Sequence, residues 1–135
     1  MTRMIEEVDQ MYVRVWREHD LEGALRDVPA DFEWVVPGHP DGAVRHGPDE
    51  VIDFFRDWID QWQDPQTDWS LEQTGPNTVL ALVTTRARGR ASGVPVDLEV
   101  GQVWTFRDGR PARMVLYADP ERARRGAEAD AQPPP

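Results

Sequence analysis

The sequence lacks cysteine, has fewer basic than acidic residues and contains no long apolar run. Each of these deficits excludes a class of protein. Without cysteine there is no disulfide framework, iron–sulfur cluster, thiolate zinc site or cysteine nucleophile. The net charge is −10, with 25 acidic residues against 15 basic ones that are all arginine. Phosphate backbones repel such a chain, so no nucleic-acid partner is expected.

The apolar runs are too short for a membrane protein. None approaches the roughly 18 residues that cross a bilayer, and the N-terminal segment lacks the apolar core of a signal peptide. We therefore expect a soluble, cytoplasmic, single-domain protein without a membrane partner. Its chemistry must come from Asp, Glu, His, Tyr, Arg or a bound ligand.

The first half of the chain has helical periodicity. Apolar residues recur at intervals of three, four and one, which is typical of amphipathic helices. For a short helix, Asp20 is a suitable N-cap and Pro29 ends the segment. A second helix is favoured to begin at Pro48, which is followed by two acidic residues. The predicted elements are a helix at 4–15, a short helix at 21–27, a strand at 32–36, a loop at 39–47 and a helix from 47 with an apolar stripe that reaches Trp62.

The second half alternates with a period of two, which indicates strands. In the strand at 94–106, alternate residues are apolar except for Gln102, so this face is predicted to point into the core. A turn centred on Ser92 and Gly93 would place Arg86 opposite Glu99 and Arg88 opposite Asp97. The predicted strands are 69–73, 78–90, 94–106 and 112–118. A short helix from 120 to about 128 ends the predicted domain, 1–128, and 129–135 is expected to be a disordered, proline-rich tail.

Four segments, in this order and spacing, resemble the SnoaL-like branch of the nuclear-transport-factor-2-like superfamily, the cone fold of ketosteroid isomerase. They are 17–25, 31–34, 45–55 and 103–110. The resemblance implies an α+β, cystatin-like cone, in which N-terminal helices pack on the concave face of a curved mixed or antiparallel sheet. It also implies a pocket between the first helix and the inner sheet face.

The same resemblance implies a homodimer built on the sheet. The outer face is predicted to be partly apolar, and an apolar face of this kind seldom stays exposed. Its apolar residues are Leu80, Leu82, Val103, Val115 and Tyr117.

Ketosteroid isomerase uses an aspartate base with an oxyanion hole formed by a tyrosine and a protonated aspartate. By the resemblance, Tyr12 stands at the tyrosine position, but the base position is Val36 and the protonated-acid position is Gln102. Steroid isomerase chemistry is therefore not expected. An epoxide-hydrolase-like set of interior acids is not expected either, because Asp97 and Glu99 are predicted to face outward.

The remaining candidates form an apolar ligand pocket in which Tyr12 and Gln102 bind one polar ligand atom. For each of them a purely structural role in the core is the alternative. The predicted pocket residues are Tyr12, Trp16, Trp34, Val36, Phe54, Trp58, Thr85, Val100, Gln102, Trp104, Met114 and Leu116.

A proton-transfer role would fall to Tyr12 together with His39 or Asp41 from the 39–47 loop, since a histidine titrates near neutrality. A solvent-exposed loop histidine is the alternative. His39 and His46 lack a zinc-ligand spacing, so no metal and no cofactor are expected.

Two hypotheses for the function follow. The first is a small-molecule-binding protein, or an isomerase- or cyclase-type enzyme, that takes a hydrophobic or polyketide-like substrate in an apolar pocket. The second is a non-catalytic dimeric module that binds a ligand or a partner, favoured by the absence of an interior acid.

Overall fold

The structure, a computed structural model, describes residues 3–37 and 44–131. Six strands form one curved sheet in the order β2-β1-β6-β5-β4-β3, in which β1 and β6 are parallel and the other neighbours are antiparallel. This confirms the predicted α+β cone with a mixed sheet. The elements are α1 (Arg3–Trp16), α2 (Leu21–Leu25), β1 (Glu33–Val35), β2 (Val44–His46), α3 (Gly47–Ile59), β3 (Trp62–Gly75), β4 (Thr78–Gly89), β5 (Pro95–Arg107), β6 (Arg110–Tyr117) and α4 (Pro120–Ala131).

The main core lies between the N-terminal helices and the inner face of the sheet. Helix α1 contributes Val8, Tyr12 and Val15, and α3 contributes Val51 and Ile52. The period of two in the sequence places every second residue of β4, β5 and β6 on this inner face. The buried members from these strands are Val79, Ala81, Val83, Trp104, Phe106 and Met114.

Helix α3 and strand β3 differ from the prediction. The helix ends at Ile59, and Trp62 begins β3, seven residues before the predicted strand start at Trp69. The pairing with β4 shifts register between Gln63 and Gln66, where Asp64 has a φ of 47° and Pro65 lacks an N–H. Because β3 is an edge strand, a bulge with a proline is tolerated there, although in the sequence the same residues are typical of a turn.

The segment predicted as a loop at 39–47 ends in a short strand, β2, which pairs antiparallel with β1. At the C-terminus, α4 extends to Ala131 rather than to about 128, and 132–135 lie outside the described residues. Within the described part of the chain, no helix is long and apolar enough to cross a membrane.

The predicted register of β4 and β5 is wrong by two residues. Arg86 pairs with Asp97, and Arg88 lies opposite Pro95. The turn closes one residue earlier than predicted because Gly93 takes a left-handed conformation, with a φ of 72°, at the end of the loop. A shift by two residues leaves each side chain on its predicted face, so Gln102 and Trp104 still point inward.

The outer face of the sheet is covered by α4 of the same chain. Leu80 and Val103 are buried against Ala123 and Ala127, and a Cβ added at Gly101 would lie 2.1 Å from the Ala123 Cβ. The small residues therefore let α4 approach the strands closely. Five residues were predicted to form an apolar dimer surface, and three of them, Leu80, Val103 and Val115, are already buried within the chain. The apolar outer face therefore no longer supports a homodimer, which remains a prediction from the family resemblance.

Strand β3 is joined to α1 through the indole of Trp69. Its Nε1 donates to Asp9 Oδ1 at 2.8 Å, and the Arg17 guanidinium lies 4.8 Å from its ring centroid. Arg17 also donates to the Thr67 carbonyl at 2.8 Å. Asp9, which the helical periodicity assigns to the solvent side, is half-buried as a result.

We predict that Trp69→Phe lowers the free energy of unfolding by about 1–3 kcal/mol, because it removes the donor and leaves a half-buried carboxylate unpaired. Urea unfolding of the wild type, Trp69→Phe, Asp9→Ala and the double variant measures the coupling. Additive effects of the two substitutions would contradict an energetically significant Trp69–Asp9 bond.

Candidate functional site

A small cavity of about 30 Å³ lies between α1 and the inner face of the sheet. Among the described residues that line it, half are aromatic and none carries a formal charge. Only Met11, Trp16 and Phe55 among them are partly exposed. The lining residues are Met11, Tyr12, Val15, Trp16, Leu25, Trp34, Phe55, Val83, Gln102 and Trp104.

A chain of buried hydrogen bonds runs along one wall of this cavity. The Trp104 indole Nε1 donates to the Tyr12 hydroxyl at 2.8 Å, and that hydroxyl donates to Gln102 Oε1. Trp104 and Gln102 are both inner-face residues of β5, two positions apart, so their side chains reach the same point of α1.

The direction of this chain determines which atoms remain to bind a ligand. The Tyr12 proton needs an acceptor, and the Gln102 carbonyl oxygen supplies one. The amide nitrogen of Gln102 therefore retains two N–H donors, in a residue that lines the cavity. Gln102, at the position that the sequence resemblance assigns to the protonated acid of ketosteroid isomerase, thus offers an amide donor.

Burial raises the pKa of the Tyr12 phenol above its ordinary value of 10.0, and the hydrogen bond from Trp104 opposes this to a smaller extent. The cause is the loss of hydration, which penalises the phenolate more than the phenol. Tyr12 is therefore a neutral hydrogen-bonding group at physiological pH.

Trp34 supplies a second neutral donor. It is 4% exposed, and its Nε1 has no hydrogen-bond acceptor among the described residues. Leaving such a donor unpaired costs about 1–3 kcal/mol, so the position is unfavourable for stability alone.

The cavity brings together five of the predicted pocket residues, namely Tyr12, Trp16, Trp34, Gln102 and Trp104. The other seven lie elsewhere. Thr85 bonds the Thr67 hydroxyl at 3.0 Å, Met114 is fully buried in the core, and Val36, Val100 and Leu116 pack around that core. Phe54 lies against Arg45 instead, and Trp58 stacks on the outer side of Phe55.

The residues that sequence reasoning missed are Met11, Val15, Leu25, Phe55 and Val83. Phe54 and Phe55 are adjacent on the apolar side of α3, and the helical period does not distinguish them. The rotation of α3 against the sheet turns Phe55 toward Trp34, with ring centroids 5.7 Å apart.

The predicted proton-transfer candidates His39 and Asp41 lie outside the described residues. His46 is exposed, with Nε2 lying 3.6 Å from Glu33 Oε2. No group of three potential metal ligands occurs in the described ranges.

A larger groove of about 610 Å³ lies outside the cone, between α1, α2 and the β5–β6 turn. Its walls carry both signs of charge, and two of its arginines are engaged by backbone carbonyls: Arg14 donates to Gly23 at 3.1 Å and Arg110 to Asp27 at 2.7 Å. This open groove lacks the convergent buried donors of the inner cavity, which is therefore the stronger candidate site.

The sequence matches the SnoaL-like domain family over residues 8–114. No curated protein matches it significantly. Among solved structures, a nuclear-transport-factor-2-like protein of unknown function from Burkholderia pseudomallei is 24% identical, with a TM-score of 0.76 over 94% of this chain and 98% of that one.

Two other similar structures have more specific descriptions. A protein from Jannaschia described as a SnoaL-like polyketide cyclase is 16% identical, with a TM-score of 0.75 over 96% of this chain and 92% of that one. TerC, co-crystallized with polyporic acid, is 22% identical, with a TM-score of 0.71 over 93% of this chain and 97% of that one. At these identities the likeness concerns the fold.

The α+β cone, the cavity between α1 and the sheet, and a family match over most of the chain lead to one conclusion. The protein belongs to the SnoaL-like domain family.

Proposed function

We propose that this protein binds a small, uncharged and largely apolar molecule in the inner cavity, and that the Gln102 amide donates to a carbonyl-type oxygen of that molecule. The observation that carries the proposal is the bond between Tyr12 and Gln102 Oε1, which orients the amide and leaves its N–H groups as the donors. The description of the Jannaschia neighbour as a polyketide cyclase and the co-crystallization of TerC with polyporic acid are consistent with a small organic ligand in this fold.

The electrostatics of the site favour a neutral ligand. A carboxylate placed in the cavity would meet no cation among the lining residues, and it would lose its hydration without compensation. A ketone oxygen requires only hydrogen-bond donors, which Gln102 provides.

Binding requires movement of the walls. The cavity volume of about 30 Å³ is far below the roughly 300–1,000 Å³ of typical ligand pockets, so a bicyclic molecule fits only if side chains are displaced. Met11, Trp16 and Phe55 are the partly exposed wall residues, and they are the ones that can move without uncovering the core.

An isomerase- or cyclase-type reaction is the second candidate, favoured by a neutral donor placed to polarise a carbonyl. In such a reaction a base takes a proton from the carbon next to the carbonyl, and the electron pair moves onto the oxygen that Gln102 binds. No lining residue of the cavity is a base at neutral pH, so this proposal assigns the base to His39 or Asp41.

The binding proposal is tested with 1-indanone and indane-1-carboxylate, which share a ring system and differ in charge. Equilibrium dialysis should show that the wild type binds the ketone at least tenfold more tightly than the acid. Gln102→Leu should weaken 1-indanone binding roughly threefold to tenfold, the worth of one hydrogen bond.

Gln73→Leu is the matched control, because Gln73 is a half-buried glutamine of the same sheet that does not line the cavity. Circular dichroism establishes first that both variants are folded. Equal binding of 1-indanone by the wild type and Gln102→Leu would contradict the proposal.

The buried phenol predicts a specific alkaline instability. Above pH 10 the unfolded chain releases the Tyr12 proton, whereas the folded chain retains it, so the unfolding free energy falls as the pH rises. Urea unfolding should show that the unfolding free energy of the wild type falls by about 1 kcal/mol more than that of Tyr12→Phe between pH 10 and 11.

Tyr117→Phe is the control, because it retains Tyr12 and should behave as the wild type. Parallel pH profiles for the wild type and Tyr12→Phe would refute this.

Catalysis is tested without a natural substrate by hydrogen–deuterium exchange at the carbon next to the carbonyl of 1-indanone. In D₂O the enzyme hypothesis predicts exchange faster than in matched buffer, reduced at least tenfold by His39→Ala or Asp41→Asn. Exchange at the buffer rate despite binding would instead favour the non-catalytic hypothesis.

A further inference from the structure

The Trp34 indole is held in a fixed orientation without using its N–H. Its ring centroid lies 5.7 Å from that of Phe55 and 6.4 Å from that of Trp104, with the two indoles perpendicular. These contacts use the faces and edges of the ring. None of these ring contacts requires the indole nitrogen.

Buried indole N–H groups usually have an acceptor, and two other tryptophans of this protein do. Trp104 donates to Tyr12 and Trp69 donates to Asp9. Trp34 differs from both because its Nε1 has no acceptor in the described part of the chain, although the residue is only 4% exposed and lines the cavity.

Trp34 and Gln102 line the same small space. Because the cavity is small and both residues line it, an oxygen atom bound there can lie near both side chains. A carbonyl oxygen has two lone pairs and can accept two hydrogen bonds. The Gln102 amide can donate to one lone pair of the ligand oxygen, and the other lone pair is free to accept from a second donor.

We propose that Trp34 is a specificity-determining residue whose indole N–H donates to the ketone oxygen of the bound molecule. The ligand class is an uncharged aromatic ketone, selected over the hydrocarbon of the same shape by two neutral donors and held between aromatic walls. This inference rests on the proposed function, because it requires that the cavity bind a carbonyl compound.

The test compares 1-indanone with indane, which has the same ring system without the oxygen. The ratio of their dissociation constants, measured by equilibrium dialysis, should favour 1-indanone in the wild type and should fall roughly threefold to tenfold in Trp34→Phe. Trp62→Phe is the matched control. Its Nε1 is also buried and has no acceptor among the described residues, but Trp62 does not line the cavity.

A second measurement is made on the wild type alone. The six tryptophans give indole N–H signals in a nitrogen–proton correlation spectrum, and nuclear Overhauser contacts within the wild type assign those of Trp34 and Trp62. Saturation with 1-indanone should move the Trp34 proton downfield, as hydrogen bonding does. Indane should not, and the Trp62 signal should stay in place.

The outcomes separate the two proposals. The role of Trp34 is overturned if Trp34→Phe keeps the wild-type ratio of dissociation constants, or if saturating 1-indanone leaves the Trp34 signal unmoved. In either case the proposed function still stands if Gln102→Leu weakens the binding of 1-indanone. If the wild type binds neither 1-indanone nor indane, the proposed function fails and the role of Trp34 fails with it.

Discussion

The hydroxyl of Tyr12 donates a hydrogen bond to Gln102 and accepts one from Trp104, and both partners belong to strand β5. These two bonds join helix α1 to the middle of the sheet, and all three side chains are buried. Since an unpaired buried hydroxyl is costly, helix and strand must meet in this arrangement for all three groups to be satisfied. The position of α1 over the inner face, and hence the cavity between them, depends on this contact.

The same contact determines the electrostatic character of the site. The sequence resemblance assigns Val36 and Gln102 to the positions of the carboxylic acids of ketosteroid isomerase. The Tyr12 phenol stays protonated because burial disfavours the phenolate. The cavity therefore offers neutral donors in apolar surroundings. Such a site suits an uncharged acceptor, and the described residues that line it include no carboxylate or histidine. The fold alone does not specify this chemistry.

Much of the fold could be predicted because it depends on local patterns. Residue spacing predicts the helical period of α1, the alternation in β5 and the inward position of Gln102. The predicted faces are correct despite the two-residue error in register, because a shift by two residues keeps each side chain on its face. The predictions failed where the outcome depended on distant partners. The bulge at Asp64 and Pro65 lies between two segments of β3 that both pair with β4, and the apolar outer face is covered because α4 folds back onto it.

The sequence by itself determined that the interior would be aromatic and nearly uncharged, since its acids fall on the polar positions of helices and strands. It also determined that Tyr12 and Gln102 would face the same core. Only the tertiary structure decided that Gln102 accepts from Tyr12, that Phe55 rather than Phe54 lines the cavity, and that the Trp34 nitrogen has no acceptor in the described chain. Hydrogen-bond direction and side-chain contact depend on how helices rotate against the sheet, which periodicity does not specify.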